Sequence, residues 1–395
     1  MDDAKHSTAG RAATTGITAS DFAARAVGPY DSGKIRGAAQ SDAGGSDAVN
    51  PIGTKNVGTK NTAANKIVRR LGKRAAIVLG LLCTAVAAVL LLILLLSGRW
   101  RQEAAQPGVS TLTLDDIPFD GRRAYEYLKQ LCAIGPRPSG SPGMAAQQKL
   151  LEEHFKRLGF AVEYQRFRVH HPVDGSEVPM ANMIFRWNPQ PKERILLCAH
   201  YDTLPFPLLD KDNPKGRFVG ANDNASGVAV LMELARELPR LTSRYGFDIV
   251  MFDAEEFVFH QDGRYFIGSE FFARQYAKQQ AYRYRWGILL DMVGDKDLQL
   301  YQEGNSLRWK ETRPLVEEIW DLARRLGVKE FIPQKKYDIN DDHVMLYNLG
   351  GIPCIDIIDF DYPPWHTQAD TPEQCSPLSL AKVGWVVQRW LQSLP

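Results

Sequence analysis

The chain has 395 residues, 44% of them apolar and 24% charged, with a formal net charge of +2. That is enough apolar material for one large globular domain or two average ones. A near-balanced charge excludes the strong basic field of a nucleic-acid binder, and five cysteines without a CxxC spacing exclude a zinc ribbon or dithiol redox motif.

Residues 1–65 are rich in Ala, Gly, Ser, Thr, Asp and Asn and nearly lack large apolar side chains. Such a segment cannot offset its ordering entropy by burial, so a disordered tail is expected. Lys66, Arg69, Arg70, Lys73 and Arg74 then precede an uncharged apolar run over 75–96. As a helix that run spans roughly 33 Å, the thickness of a bilayer's hydrocarbon core. It is too long and too far into the chain for a signal-peptide core. Residues 66–98 are therefore expected to be a basic cluster and a single transmembrane helix, with Cys83 packing inside it. The basic cluster on the N-terminal side puts the tail in the cytoplasm and everything after the span outside it. Residues 99–119 read as a linker.

From 120 onward no linker-like composition interrupts the chain, and one domain over 120–395 is expected. Asp120 caps a helix carrying Ala124, Leu128 and Leu131. The run 135–143, Gly-Pro-Arg-Pro-Ser-Gly-Ser-Pro-Gly, must be a structured turn. A helix over 144–158 stops at Gly159, and 160–169 alternates like a strand. Further strands are expected at 181–186, 195–199, 247–252, 287–290 and 352–358. Helices are expected after the glycine-flanked segment 220–227, over 268–277, over 315–326 and over 377–394. Strands alternating with amphipathic helices indicate an α/β three-layer sandwich with a mostly parallel, mixed central sheet.

The chemistry lies where these strands stop. The strand at 195–199 leads into His200 and Asp202, and the one at 247–252 into Asp253, Glu255 and Glu256. The strand at 287–290 leads into Asp291, and the one at 352–358 reaches His366 through a short loop. Asp223 sits in a glycine-flanked loop before a helix. Ligands of open α/β sheets collect beyond the carboxyl ends of the strands. Adjacent carboxylates such as Glu255 and Glu256 are costly unless a cation or a shared proton relieves them. Imidazoles and carboxylates without thiolate suit zinc or a similar divalent ion, and Asp223, Glu256 and His366 would leave an open coordination position.

These residues carry a family resemblance. The segments Pro136-Arg-Pro-Ser-Gly-Ser-Pro-Gly143, His200-Tyr-Asp202, Phe218-Val-Gly-Ala-Asn-Asp223, Asp253-Ala-Glu-Glu256, Leu289-Leu-Asp291, Asp341-Asp-His343 and Trp365-His366 resemble, in order, the M28 metallopeptidases. Within that family they look like the glutaminyl-peptide cyclotransferases. The resemblance implies one zinc on Asp223, Glu256 and His366. It implies Glu255 as general acid/base, with Asp291 and Asp341 hydrogen-bonded around it, and Trp365 as a wall of the substrate pocket. The substrates implied are peptide or protein N-termini, with N-terminal glutamine closing to pyroglutamate. The same resemblance supports a two-zinc aminopeptidase, in which His200 and Asp291 hold a second ion and Asp223 bridges. Asp223-Asn-Ala-Ser-Gly227 looks more like the peptidases, and Gln261 stands where the cyclotransferase pattern has a pocket tryptophan. Trp365-His366 and Asp341-Asp-His343 are closer to the cyclotransferases.

Other candidates have plainer readings. Asp202 would support His200 or be a loop acid, and Asp342 and His343 would cap a helix-like segment. His260 reads as a loop residue, Asp359 and Asp361 as rim or solvated acids. His154, His170 and His171 are expected on exposed faces.

Overall fold

The computed structural model describes residues 108–260, 263–279 and 281–395. The expected tail, the basic cluster with its membrane span, the first part of the linker, Cys83 and Gln261 lie outside the described residues. Among the described residues no helix is long and apolar enough to cross a membrane.

The described elements run α1 (Gly121–Ile134), α2 (Pro142–Arg157), β1 (Ala161–His170), β2 (Glu177–Trp187), β3 (Glu193–His200), α3 (Ala225–Leu234), β4 (Gly246–Phe252), α4 (Ile267–Tyr276), β5 (Arg283–Asp291), β6 (Leu300–Gln302), α5 (Gly304–Arg308), α6 (Arg313–Leu326), β7 (Phe331–Lys335), α7 (Asp342–Gly350), β8 (Cys354–Ile358) and α8 (Pro377–Ser393). A six-stranded sheet has the order β1-β2-β4-β3-β5-β8. The first two pairings are antiparallel and the other three parallel, so the sheet is mixed.

Burial explains the difference between the strands. β3 and β4 are buried almost from end to end, which fits strands covered on both faces. Alternate residues of β3 feed two cores. Ile195, Leu197 and Ala199 join the layer containing α1, α3 and α8. Leu196 and Cys198 join the layer containing Phe272 of α4 and Leu346 of α7. Truncating a residue such as Leu197 to Ala would cost about 2–5 kcal/mol. β1 alternates exposed and half-buried residues because it is the outer strand.

Local chemistry fixes the helix ends. Asp120 accepts from the Arg123 N–H, and Ser141 accepts from Met144 with Pro142 just inside the start. Asn224 caps α3 through the Gly227 N–H, and Ser376 caps α8.

The structure corrects several expectations. Residues 108–119, assigned to a linker, lie against the domain: Ile117 and Phe119 are core residues, and Ser110 donates to Glu330. His154 is buried, not exposed, edge-on to Tyr127 and Phe155 with Nε2 2.9 Å from the Met232 carbonyl. His171 is half-buried against Phe257 and Phe259, whereas His170 is exposed as expected. Asp359 is fully buried and accepts from the Gln299 and Asp361 N–H groups, while Asp361 pairs with Lys336. The small parallel pair β6–β7 and the short helix α5 are additions. Cys132, Cys198, Cys354 and Cys375 are buried free thiols.

Candidate active site

Sheet register brings the candidate residues to one rim. His200 is paired with Phe252 across β3 and β4, and Asp291 with Ile358 across β5 and β8. These strands therefore release His200, Asp253–Glu256 and Asp291 at the same edge, beside the loop that carries His366.

Two carboxylates outside the cluster clamp its loops. Asp202 is fully buried; one oxygen accepts from the Glu255 N–H and the other from the Glu256 N–H, each at 3.0 Å. Asp370 does the same for the Asp223 loop, accepting from Asn222 at 2.8 Å, Asp223 at 3.1 Å and the Tyr362 hydroxyl at 2.7 Å. The turn 135–143 supports both. Buried Arg137 donates to the carbonyls of Val219 and Gly220, and Ser139 donates to Asp253. Asp202 had a supporting role in the sequence reading, though through His200. Asp370 and Arg137 had none, since a lone acid four residues after His366 and an arginine in a proline-rich turn carry no spacing signal.

Backbone strain collects here. Ala254, Met292 and His366 have φ of 59°, 47° and 58° without being glycine. Such conformations cost on the order of 1–3 kcal/mol each and persist where the surroundings over-determine them. They adjoin Glu255 and Asp291, and one is His366 itself.

The side chains form three overlapping sets, one of which joins His200, Glu255 and Glu256. Asp223, Glu256 and His366 are buried, with donor atoms all within 4.8 Å of one another. His366 Nε2 lies 2.8 Å from Glu256 and 3.4 Å from Asp223. His200, Asp223 and Asp291 form the second set, with His200 Nε2 3.1 Å from Asp223 and 3.5 Å from Asp291. Asp223 belongs to both of these. Glu255 stands beside them, its Oε2 3.9 Å from His200 Nδ1. Trp365 is half-buried, its ring centroid 4.1 Å from that of His366 and 4.9 Å from Phe360. Asp341 lies one layer back, at the N-cap of α7, grouped with His343 and Asp356.

Electrostatics show what this cluster lacks. Burial and the Asp223 charge push Glu256 up to about 8, against a hydrogen bond from His366. Burial opposes a charge on His366, but its hydrogen bonds to Asp223 and Glu256 raise it to about 9. Asp223 is held below the usual carboxylate range; burial would raise it, and hydrogen bonds from His200 and His366 prevail. Burial alone would lower His200, yet the Glu255 and Asp291 carboxylates lift it well above its ordinary value. Glu255 is raised well above its usual range by burial, with His200 pulling the other way. A divalent cation among these crowded carboxylates would relieve their mutual repulsion. Asp291 Oδ1 and His200 Nδ1 are sealed from solvent and have no hydrogen-bond partner. Buried polar atoms are rarely left so. Oxygen and imidazole donors converging without thiolate fit a divalent metal ion.

Fold and site together define an α/β enzyme with a candidate metal centre. The model of Peptidase family M28 matches residues 182–391, and the chain belongs to that family. The glutaminyl cyclase of Fimbriiglobus ruber is 39% identical, with a TM-score of 0.67 over 73% of this chain and 99% of that one. A leucine aminopeptidase precursor from Bacteroides thetaiotaomicron is 32% identical, with a TM-score of 0.66 over 70% of this chain and 98% of that one. Among curated relatives, the glutaminyl-peptide cyclotransferase of Boiga dendrophila is 27% identical over 64% of this chain and 76% of its own length.

Proposed function

We propose that this chain is a zinc-dependent glutaminyl-peptide cyclotransferase. It acts on peptide or protein N-termini and is held to a membrane by a single span over 75–96, with its N-terminus cytoplasmic and its domain extracytoplasmic. The observation that carries the activity is Glu255. It is buried, its carboxyl is raised well above the usual range, and it lies outside the Asp223–Glu256–His366 set while sharing a second group with His200 and Glu256. Relatives named as glutaminyl cyclases support the same reading.

Asp223, Glu256 and His366 would hold the ion, which supplies a Lewis acid for the side-chain amide oxygen of an N-terminal glutamine. Trp365 walls the pocket and fixes the glutamine side chain. The α-amino nitrogen forms a bond to the amide carbon, and the bond from that carbon to the amide nitrogen breaks. Glu255 takes a proton from the attacking amine and returns it to the leaving nitrogen, which departs as ammonia. No water is consumed. A carboxyl with a raised pKa suits both halves of this transfer. In this reading the neighbouring acids Asp291 and Asp341 would share protons with Glu255 and keep its carboxyl protonatable; Asp341 already raises it by its charge.

The second reading, a two-ion aminopeptidase, is favoured by one observation: the His200–Asp223–Asp291 set shares Asp223 with the first. Ammonia release from Gln-peptides, set against amine release from aminoacyl amides, separates the two on the full-length protein. Metal analysis alongside should find one zinc per chain. Amine release without ammonia, with two ions per chain, would reject the cyclotransferase.

A further inference from the structure

Glu303 and His343 are sealed in the interior and have no part in the chemistry above. Glu303 Oε1 accepts from the N–H groups of Asn305 at 2.7 Å and Ile339 at 2.9 Å. Its Oε2 accepts from Ser306 N–H at 2.7 Å and lies 3.1 Å from His343 Nε2. Burial alone would raise this carboxyl, but the His343 ring and the amides hold it below its ordinary range. An ionised carboxylate only accepts, so the proton on that side of the imidazole belongs to Nε2. Nδ1 then faces Asp356, whose Oδ2 is 3.8 Å away, beyond hydrogen-bond reach.

These contacts grip the segment that delivers Asp341. The Gly304 N–H donates to the Tyr337 carbonyl at 2.7 Å, and the Asn305 side chain donates to the Ile339 carbonyl at 2.7 Å. Chain 337–339 is thereby pinned to the start of α5, and Glu303 also holds His343, two residues past Asp341. Asp341 sits between the two pins. Its Oδ1 accepts from the Asp342 N–H at 2.5 Å, and its Oδ2 is buried without a partner. Burial and the charge of nearby Asp291 both push this carboxyl up.

We infer that Glu303 and His343 are positioning residues that set Asp341 against Asp291, and through Asp291 the proton-handling Glu255. The inference rests on the reading above, in which Asp341 takes part in turnover. It acts through geometry: a carboxyl displaced by about 1 Å can cost 100-fold in rate.

The test is a double-mutant cycle on the full-length protein, with kcat, KM and metal content measured for Glu303→Gln, His343→Gln, Asp341→Asn and the two doubles with Asp341→Asn. Each of the first two should lower kcat by about 10- to 100-fold, leaving KM and metal content unchanged. In the Asp341→Asn background neither should lower it further. Losses that multiply, or an unchanged kcat in both single variants, would overturn the inference. So would loss of one ion per chain in His343→Gln, which would make His343 a ligand in the Asp341–His343–Asp356 group. If the parent protein turns over neither substrate, the proposed function has failed. The positioning is then read from a crystal structure of Glu303→Gln, where a displaced Asp341 carboxyl supports it and an unmoved one refutes it.

Discussion

Asp202→Asn is the sharpest perturbation the site offers, because it removes one atom's acceptor character and little volume. Asp202 is fully buried and spends one oxygen on each of two successive N–H groups, those of Glu255 and Glu256. Asparagine can satisfy one of them. Its NH2 group then meets the other N–H donor to donor. The loss is one charge-assisted hydrogen bond, about 1.5–3 kcal/mol, and one buried N–H left unpaired, about 1–3 kcal/mol. Together these make about 2.5–6 kcal/mol, or a fall in Tm on the order of 10 °C for a domain of this size. Equilibrium urea unfolding of metal-saturated protein should show the loss in the midpoint with the m-value unchanged. Turnover should fall about 100-fold, because the carboxylates of Glu255 and Glu256 move with their backbone. Ser139→Ala is the milder comparison: it removes a 2.7 Å hydrogen bond to Asp253 and a 3.4 Å one to Asp202, leaves both backbone clamps in place, and should cost about 1.5–3 kcal/mol. An Asp202→Asn protein within about 0.5 kcal/mol of its parent and equally active would refute the clamp.

Three further outcomes follow from the same geometry. Glu255→Gln should lower turnover by about 100- to 10,000-fold and leave the metal content unchanged by elemental analysis. Metal affinity should tighten as pH rises from 6 to 8. In the metal-free protein Glu256 is raised to about 8 and His366 to about 9, so the ion must displace protons that become easier to remove as pH rises. Competition with a chromophoric chelator should give about one to two decades in Kd per pH unit, and a flat profile would rule out proton displacement. Gly220→Ala should weaken metal binding and cost about 1–3 kcal/mol, because Gly220 has φ of 58° and a Cβ there would meet the Asp223 carbonyl oxygen. Its Tm and its metal affinity should fall together.

The rim was legible in the sequence because strand ends announce themselves. An apolar run that stops at His200, Glu255 or Asp291 states both the strand and the residue it delivers, and parallel pairing then aligns those ends without further information. The cap of α1 was legible for a similar reason, since a short polar side chain before a helical period has one local use. What stayed hidden depends on contacts between distant segments. His154 reads as a polar residue on a helix, yet it is buried because α3 presents the Met232 carbonyl to it. Asp359 reads as a solvated acid, yet the backbone of Gln299 turns it inward.

Asp202, Asp370 and Glu303 make the same point about the site. A metal ligand must be imidazole or carboxylate, so its residue type narrows its role. A residue that holds a loop needs only an acceptor aimed at someone else's N–H, and many side chains qualify. Asp370 and Glu303, which hold the Asp223 and Asp341 segments, are therefore invisible in composition and spacing, and Asp202 was legible only as a support for His200. The clamping roles of all three appear only when the folded chain shows which backbone amides they reach. The strained φ values at Ala254, Met292 and His366 fit this division. Loops that would relax elsewhere are held at the rim by buried carboxyl groups standing just behind the chemistry.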